Sequence, residues 1–186
     1  MLKNFYPYEY VEDVFSIDYN KLYKKGYRGI IFDIDNTLVP HGKDSTKEVD
    51  ELFRNIHKIG IKTLLLSDNG EKRINKFIEN IDTLYISNAQ KPKKEGYMKA
   101  TKMLKLEKKE IICIGDQIFK DIYGANKSGI DNILVKYIGF YNKEKKGIRR
   151  NIEKMILDIY QKNNKYQNRI GDIQKEEEIK DAIKQK

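Results

Sequence analysis

The sequence predicts an α/β fold, in which a Rossmann-like parallel sheet of five strands carries helices on both faces. Five short apolar runs rich in β-branched residues alternate with amphipathic segments of helical length, a pattern typical of parallel sheets. Carboxylates follow directly on two of these runs, and open α/β sheets bind ligands at the carboxyl ends of their strands. Right-handed crossovers would bring all of these strand ends to one edge.

The predicted elements alternate regularly along the chain. Strands are expected at residues 28–33, 61–67, 83–87, 111–115 and 132–135. Helices are expected between them at 45–59, 70–80, 93–106 and 118–128. The first of these helices begins with Ser45, Thr46 and Glu48, which suit a capping box, and it ends at Gly60.

The first 27 residues contain six tyrosines. One interpretation is an aromatic patch that meets lipid head groups at a membrane surface. The other is a segment that covers one side of the sheet and ends in a short helix at about 18–25. We favour the second as the simpler interpretation.

The chain changes in character near residue 140, so we predict a domain over 1–140 and a basic helical extension over 141–186. Residues 142–150 contain five cations and one acid. Helical spacing then predicts one apolar face, made of Ile148, Ile152, Met155, Ile156 and Ile159. This face would dock on the domain or lie on an anionic membrane. From about residue 163 the polar composition predicts frayed helix or disorder.

Composition limits the class of protein. The 186 residues suffice for one domain and a short appendage. The net charge of +9 favours an anionic surface or substrate, without choosing between lipid, nucleic acid and phosphate. Cys113 is the sole cysteine, which excludes a disulfide framework. The chain shows no signal peptide and no apolar run of ~20 residues, so we expect a cytoplasmic protein that contacts a membrane at most peripherally, at its inner face.

Two carboxylates, Asp33 and Asp35, end the first apolar run. Crowded carboxylates repel one another unless a cation lies between them or one of them holds a proton. One interpretation is therefore a Mg²⁺ site with an aspartate nucleophile for phosphoryl transfer. The other is a simple turn, because Asp-x-Asp-Asn also suits an Asx-type turn.

Polar groups at the other strand ends favour the Mg²⁺ interpretation. They are Ser67, Asp68 and Asn69 after the second run, Lys91 between the third and fourth, and Asp116 and Asp121 after the fourth. A hydroxyl and backbone N–H groups at a helix start suit phosphate oxygens, and a lysine neutralises a phosphoryl group. Asp116, opposite the first acid pair, would complete the metal site.

The order of these motifs resembles the haloacid dehalogenase (HAD) superfamily of phosphatases over about residues 28–135. The D-x-D-x-T motif matches residues 33–37, the second-motif hydroxyl matches Ser67, and G-D-x-x-x-x-D matches 115–121. The third-motif lysine matches Lys91, with Lys93 and Lys94 as alternatives. More narrowly, residues 33–39, 89–92 and 115–126 resemble the YqeG-type branch of subfamily IIIA, as does the aromatic N-terminal lead that ends at residues 25–29.

The resemblance implies a role for each residue. Asp33 would attack phosphorus and form an aspartyl-phosphate, and Asp35 would act as general acid and then as general base. Asp33, the backbone carbonyl of Asp35, and Asp116 would hold Mg²⁺. Lys91 would offset negative charge. Phosphate would be bound by Ser67, Asn36, Asp68 and Asn69. Thr37 and Asp121 would have supporting roles.

The resemblance also bears on the substrate. HAD enzymes that act on small metabolites usually carry a cap domain, and the intervals between the motifs leave no room for one, so the resemblance implies a capless enzyme with a bulky substrate. The branch is similar to phosphatidylglycerophosphate phosphatases, which implies a phospholipid. The alternatives are a phosphatase of nucleic-acid ends or phosphoproteins, and a non-catalytic module that grips RNA or lipid. Nucleic acid is disfavoured, because no aromatic–basic groove can be read near the motifs.

Overall fold

A parallel six-stranded sheet forms the centre of the computed structural model, which describes residues 2–138 and 148–176. Its strands are β1 (Glu9–Val11), β2 (Gly29–Phe32), β3 (Lys62–Leu66), β4 (Leu84–Ile86), β5 (Ile111–Gly115) and β6 (Asp131–Val135). They lie in the order β1-β6-β5-β2-β3-β4, and every neighbouring pair is parallel. The α/β class and the parallel sheet are therefore as predicted.

The prediction of five strands is wrong by one, because β1 is a sixth strand at the edge of the sheet. Its three residues are too short to form an apolar run, and Tyr10 at their centre is only half-buried. The strand exists because its backbone pairs with β6, where Glu9 lies opposite Ile133 and Val11 opposite Val135. The signal therefore lies in the partner strand and not in the local sequence.

Helices cover both faces of the sheet. They are α1 (Tyr19–Lys24), α2 (Lys47–Ile59), α3 (Glu71–Phe77), α4 (Lys94–Leu104), α5 (Tyr123–Ser128) and α6 (Ile148–Gln161), with a π-helical turn at Ile118–Ile122 before α5. Alternate residues of β2 point to opposite faces of the sheet and pack in two different hydrophobic clusters. Phe32 packs with Phe53 of α2, while Ile31 belongs to the cluster that contains Tyr97 of α4. This packing fixes the sheet between two helical layers.

The aromatic N-terminal segment covers part of the domain. Tyr6, Tyr19 and Tyr27 are all buried, and α1 begins after Asp18, whose carboxylate accepts hydrogen bonds from the N–H groups of Asn20 and Lys21. These three tyrosines therefore pack against the domain, as the covering interpretation predicts, and the short helix lies at the predicted position.

The C-terminal helix α6 docks on the domain, but not by the whole of the predicted face. Glu153, Ile156 and Tyr160 are buried, and Tyr160 contacts the ring of Tyr6. The other members of that face are exposed, at 82%, 43%, 63% and 46% for Ile148, Ile152, Met155 and Ile159. Polar Glu153 enters the interface because it has partners there, which hydrophobic spacing alone does not reveal.

The prediction of fraying from residue 163 is wrong for residues 163–176. Ile173 lies in the main core, the Ile170 N–H donates to Glu9 Oε1 at 2.6 Å, and Asp18 N donates to the Ile173 carbonyl at 2.8 Å. Tertiary contacts thus order a segment that is polar in sequence. The predicted disordered end at 177–186 and most of the basic segment 142–150 lie outside the described residues. Among the helices that are described, none is long and apolar enough to cross a membrane.

Candidate active site

The predicted site residues converge at the carboxyl edge of the sheet. Asp33 follows β2, Ser67 follows β3, Lys91 lies in the loop after β4, and Asp116 follows β5. All four are buried. Because parallel strands end on the same side, residues far apart in sequence meet in one place.

Three buried carboxylates lie close together, and a buried lysine contacts two of them. Oxygens of Asp33, Asp116 and Asp121 lie within 4.8 Å of one another. The Lys91 ammonium group donates to Asp33 Oδ1 at 2.5 Å and to Asp121 Oδ1 at 2.7 Å. Lys93 and Lys94 are exposed, and Lys93 bonds the side chain of Gln90. Of the three candidate lysines, the structure therefore brings Lys91 to the acids.

Thr37 and Gly115 account for two fixed positions of the motifs. The Thr37 hydroxyl lies 3.2 Å from Asp33 Oδ2 and 3.4 Å from Asp116 Oδ1, so it joins the two loops. A Cβ atom at Gly115 would lie 2.4 Å from the Asp121 side chain, so any larger residue would displace this acid. Asp121 in turn accepts from the Gln117 N–H through its second oxygen at 3.0 Å. Asp121 thus serves to hold Lys91 and the loop after β5.

Asp35 lies on the open side of the site, apart from the acid cluster. Its carboxylate accepts hydrogen bonds from Asn69 Nδ2 at 2.7 Å and from the Gly42 N–H at 3.0 Å. Burial tends to raise the pKa of Asp35, but these hydrogen bonds outweigh burial and lower it, with help from the nearby His41 and Arg73. The carboxylate of Asp35 is therefore ionised at neutral pH.

The electrostatics of the cluster favour a cation. Burial raises the pKa of Asp33 to about 6, although Lys91 opposes that rise. Burial likewise raises the pKa of Asp116 to about 8, against the influence of Arg150. A divalent ion at these carboxylates would relieve the cost of ionising them, and an all-oxygen set of ligands suits Mg²⁺. The residues present therefore fit the metal. Asp33 and Asp116 are best placed to hold it, because Lys91 and Arg150 each engage only one of their carboxylate oxygens, whereas both oxygens of Asp121 are engaged, by Lys91 and by Gln117.

The predicted phosphate-binding residues border the same pocket. Ser67 Oγ faces it and accepts from the Asn69 N–H at 3.2 Å. Asp68 accepts from the Lys91 N–H and pairs with Lys120, so it positions neighbours of the phosphate site. The Asn36 N–H donates to the Val39 carbonyl at 2.6 Å. Direct contact of Asn36, Asp68 or Asn69 with phosphate stays a prediction.

Two further contacts of the site escape the sequence analysis. Arg150 of α6 contacts the Asp116 carboxylate, although the sequence shows it only as one of five cations in residues 142–150. Arg73 of α3 lies 3.5 Å from Asp35. No local signal identifies either arginine, since each partner is more than thirty residues away. Only the packing of the helices brings them into the site.

The pocket over these residues is small. Its volume is about 120 Å³, and Asp33, Asp35, Ser67 and Lys91 line it, with Lys120 also in its wall. Typical small-molecule sites enclose roughly 300–1,000 Å³. The pocket can therefore take up a phosphate group while the rest of a substrate lies outside.

Comparisons with known proteins agree with this geometry. The family model described as haloacid dehalogenase-like hydrolase matches residues 41–129. The chain is 34% identical over 159 residues to the Bacillus subtilis (strain 168) protein named "Probable phosphatase YqeG", an alignment that covers 84% of this chain and 92% of that protein. It is 30% identical over 64 residues to a glyceraldehyde 3-phosphate phosphatase of Pyrococcus abyssi, covering 34% and 27% of the two chains.

A solved structure shows the same fold. The crystal structure of an uncharacterised protein from Listeria monocytogenes serotype 4b superposes with a TM-score of 0.50 at 18% identity, covering 73% of this chain and 99% of that one. Its likeness concerns the fold alone. The sequence match over most of the chain shows the family: the chain belongs to the haloacid dehalogenase-like hydrolases, and within them to the YqeG-like phosphatases.

Proposed function

We propose that this phosphatase is a Mg²⁺-dependent phosphomonoesterase that acts through an aspartyl-phosphate on a phospholipid, with phosphatidylglycerophosphate as the substrate. The observation that carries the proposal is the buried acid cluster with Lys91 at the base of a small pocket. The ion would be held by Asp33 and Asp116 and, as the family resemblance implies, by the backbone carbonyl of Asp35. When bound it would offset the charge of the phosphoryl group.

The side chains divide the reaction into two halves. Asp33 forms a bond to phosphorus while the bond to the leaving oxygen breaks, and Lys91 offsets the charge of the transferring group. Asp35 gives a proton to the leaving oxygen. It takes up this proton from solvent as the substrate binds, because an incoming phosphate dianion raises the pKa of a nearby carboxylate. Water then attacks phosphorus while Asp35 takes up a proton from it. The bond between phosphorus and Asp33 breaks, which releases phosphate and regenerates the Asp33 carboxylate.

Two features support a bulky lipid as the substrate. Between Asp35 and Ser67 the chain forms α2 and β3, and between Ser67 and Lys91 it forms α3 and β4. We interpret this spacing as a capless site. The exposed apolar side chains of α6 would add contact with a bilayer. The protein would then be cytoplasmic and would contact the membrane at its inner face.

The proposal is tested by measuring phosphate release from phosphatidylglycerophosphate in mixed micelles, with and without Mg²⁺. The Asp33→Asn variant serves as the blank, because it keeps the size of the side chain but not the nucleophile. We expect Mg²⁺-dependent release from the wild type and at least a hundredfold loss in kcat for the variant, about 2.7 kcal/mol in the barrier. Full activity in excess chelator would exclude the metal.

Parallel substrates separate the lipid from the alternatives. A 5′-phosphorylated oligonucleotide and a phosphopeptide are assayed at the same concentrations, with p-nitrophenyl phosphate as a small reference. Preference for either over the lipid would overturn the substrate while leaving the phosphatase chemistry in place. Release from none of them, with a folded protein, would favour a binding module.

A further inference from the structure

Helix α6 reaches the loop that carries Asp116. The Arg150 Nη2 group contacts Asp116 Oδ2, and Nη1 donates to the backbone carbonyl of the same residue at 3.0 Å. The guanidinium group thus binds both the side chain and the main chain of one residue. Such a two-point contact restricts the orientation of the carboxylate more than a single hydrogen bond would.

Glu153, one turn along the helix, completes the link. Its Oε2 accepts from Arg150 at 3.0 Å, and its Oε1 accepts from the Phe119 N–H at 3.1 Å. Glu153 is only 5% exposed, and a buried charge is costly unless it is paired and hydrogen-bonded. Its partners explain why an acid occupies the docking face of α6. Arg150 and Glu153 together tie the helix to the loop at residues 116–119.

We propose that Arg150 is a positioning residue for the metal site, so that the C-terminal helix is a working part of the active centre. The inference rests on the proposed function, since it requires an ion at Asp33 and Asp116. Arg150 engages Oδ2 of Asp116, whereas Oδ1 lies beside the Thr37 hydroxyl, which also contacts Oδ2 of Asp33. Outer contacts of this kind orient ligating carboxylates, and their loss costs ~10- to 100-fold in metal affinity or activity.

The opposite role would be competition, in which the guanidinium group displaces the ion from Asp116. The geometry favours positioning, because Arg150 also holds the backbone carbonyl, a contact that an ion at Oδ1 would leave intact. The two roles predict opposite changes when the arginine is removed. Positioning predicts weaker metal binding, and competition predicts tighter binding.

The test measures Mn²⁺ binding to the full chain by the electron paramagnetic resonance signal of the free ion, without any substrate. Arg150→Met is compared with Arg149→Met, a matched control that removes the same charge from the neighbouring position, where the side chain packs over Phe119 and not on Asp116. We expect Arg150→Met to raise the Kd for Mn²⁺ at least ~10-fold. The control should change it less than ~2-fold.

Unchanged or tighter binding in Arg150→Met would overturn the proposal. Circular dichroism without metal checks that the variant is folded. If it is not, Glu153→Gln carries the test, because it keeps an acceptor for Phe119 but weakens the hold on Arg150. That variant should also bind Mn²⁺ less tightly, and unchanged affinity would count against the inference. A wild type that binds no Mn²⁺ would instead reject the metal site itself, and the proposed function with it.

Discussion

At the scale of single residues, the balance of charge at the site depends on Lys91. The side chain is almost fully buried, and its pKa is raised well above the usual value because Asp121 and Asp33 outweigh the effect of burial. Lys91 is therefore charged in the free protein at neutral pH. Its removal would leave two buried carboxylates without their shared partner, which costs about 3–5 kcal/mol in comparable ion pairs.

We expect Lys91→Met to lower kcat for p-nitrophenyl phosphate by ~10²- to 10³-fold, the usual cost of losing one charge-stabilising donor. It should also lower the free energy of unfolding in the absence of metal. Lys93→Met is the matched control, because Lys93 is exposed and bonds only Gln90 among its described contacts. Steady-state kinetics and urea unfolding measure both effects. Equal kinetics for the two variants would reject Lys91 as the active-site lysine.

The stability of the metal-free protein should fall as the pH rises from 5.5 to 8. The pKa of Asp116 is raised from 3.8 to about 8 in the folded protein, so over this range the unfolded chain binds fewer protons than the folded one. Each such group lowers the free energy of unfolding by up to about 1.4 kcal/mol per pH unit. The lowered pKa of His57 acts in the opposite direction.

The Asp116→Asn variant isolates this effect. It retains His57 and the other titrating groups, so the difference in slope between the two proteins belongs to Asp116 and its neighbours. We expect the wild type in chelator to lose more stability between pH 5.5 and 8 than the variant does, as measured by urea unfolding. If the free energy of unfolding had the same pH dependence in both proteins, ionisation of Asp116 would not lower the stability of the folded protein.

Sequence motifs locate the site residues that directly follow a strand, and they miss the residues that only helix packing brings to the site. Asp33, Ser67 and Asp116 each follow an apolar run directly, so the end of a strand marks them. Lys91 needs the structure to separate it from Lys93 and Lys94. No sequence motif identifies Arg150, because its contact with Asp116 arises only from the packing of α6 against the loop after β5.

At the scale of elements, α6 shows how hydrophobic spacing can mislead. The interface uses Glu153, Ile156 and Tyr160, at positions i, i+3 and i+7, which is as regular as the predicted apolar face. The two faces share Ile156 only. Periodicity identifies the helix and its length, but it cannot choose the docking face when a buried acid finds partners. Strand β1 likewise depends on a partner that local sequence does not show, because its backbone pairs with β6.

The packing of α6 predicts unequal effects of two neighbouring substitutions. Ile156 is 7% exposed and packs with Ile118, Ile122 and Leu134, whereas Met155 is 63% exposed. We expect Ile156→Ala to lower the free energy of unfolding by about 2–4 kcal/mol and Met155→Ala by less than ~0.5 kcal/mol. Urea unfolding measures both. Similar values would mean that the helix does not dock by this face in solution.

At the scale of the whole molecule, the C-terminal helix presents different chemistry on its two sides. Its inner side holds the active-site loop through Arg150. Its outer side exposes an apolar stripe, which we define as Ile148, Ile152, Met155 and Ile159. The basic residues 143, 145 and 146 precede the stripe in the sequence. An apolar stripe next to cations is the composition of helices that lie on anionic membranes.

The stripe allows membrane contact to be tested without disturbing the site. We replace all four residues of the stripe by Gln, which favours helix as well as the residues it replaces. We expect kcat for p-nitrophenyl phosphate to change less than ~2-fold, because none of the four side chains is buried. Activity on phosphatidylglycerophosphate in anionic vesicles should fall at least ~10-fold, since burial in an interface stabilises binding by about 0.8 kcal/mol per methylene group.

Two controls decide what a loss would mean. Leu84→Gln removes an exposed apolar residue of β4, at the far edge of the sheet, and should leave both activities intact. High salt should reduce vesicle activity of the wild type, because screening shortens the reach of cations such as those that precede the stripe in the sequence. Equal losses on soluble and vesicle substrates would assign the stripe to folding. Full vesicle activity in the variant would mean that the substrate reaches Asp33 without help from α6, and the lipid would then have to be recognised at the pocket itself.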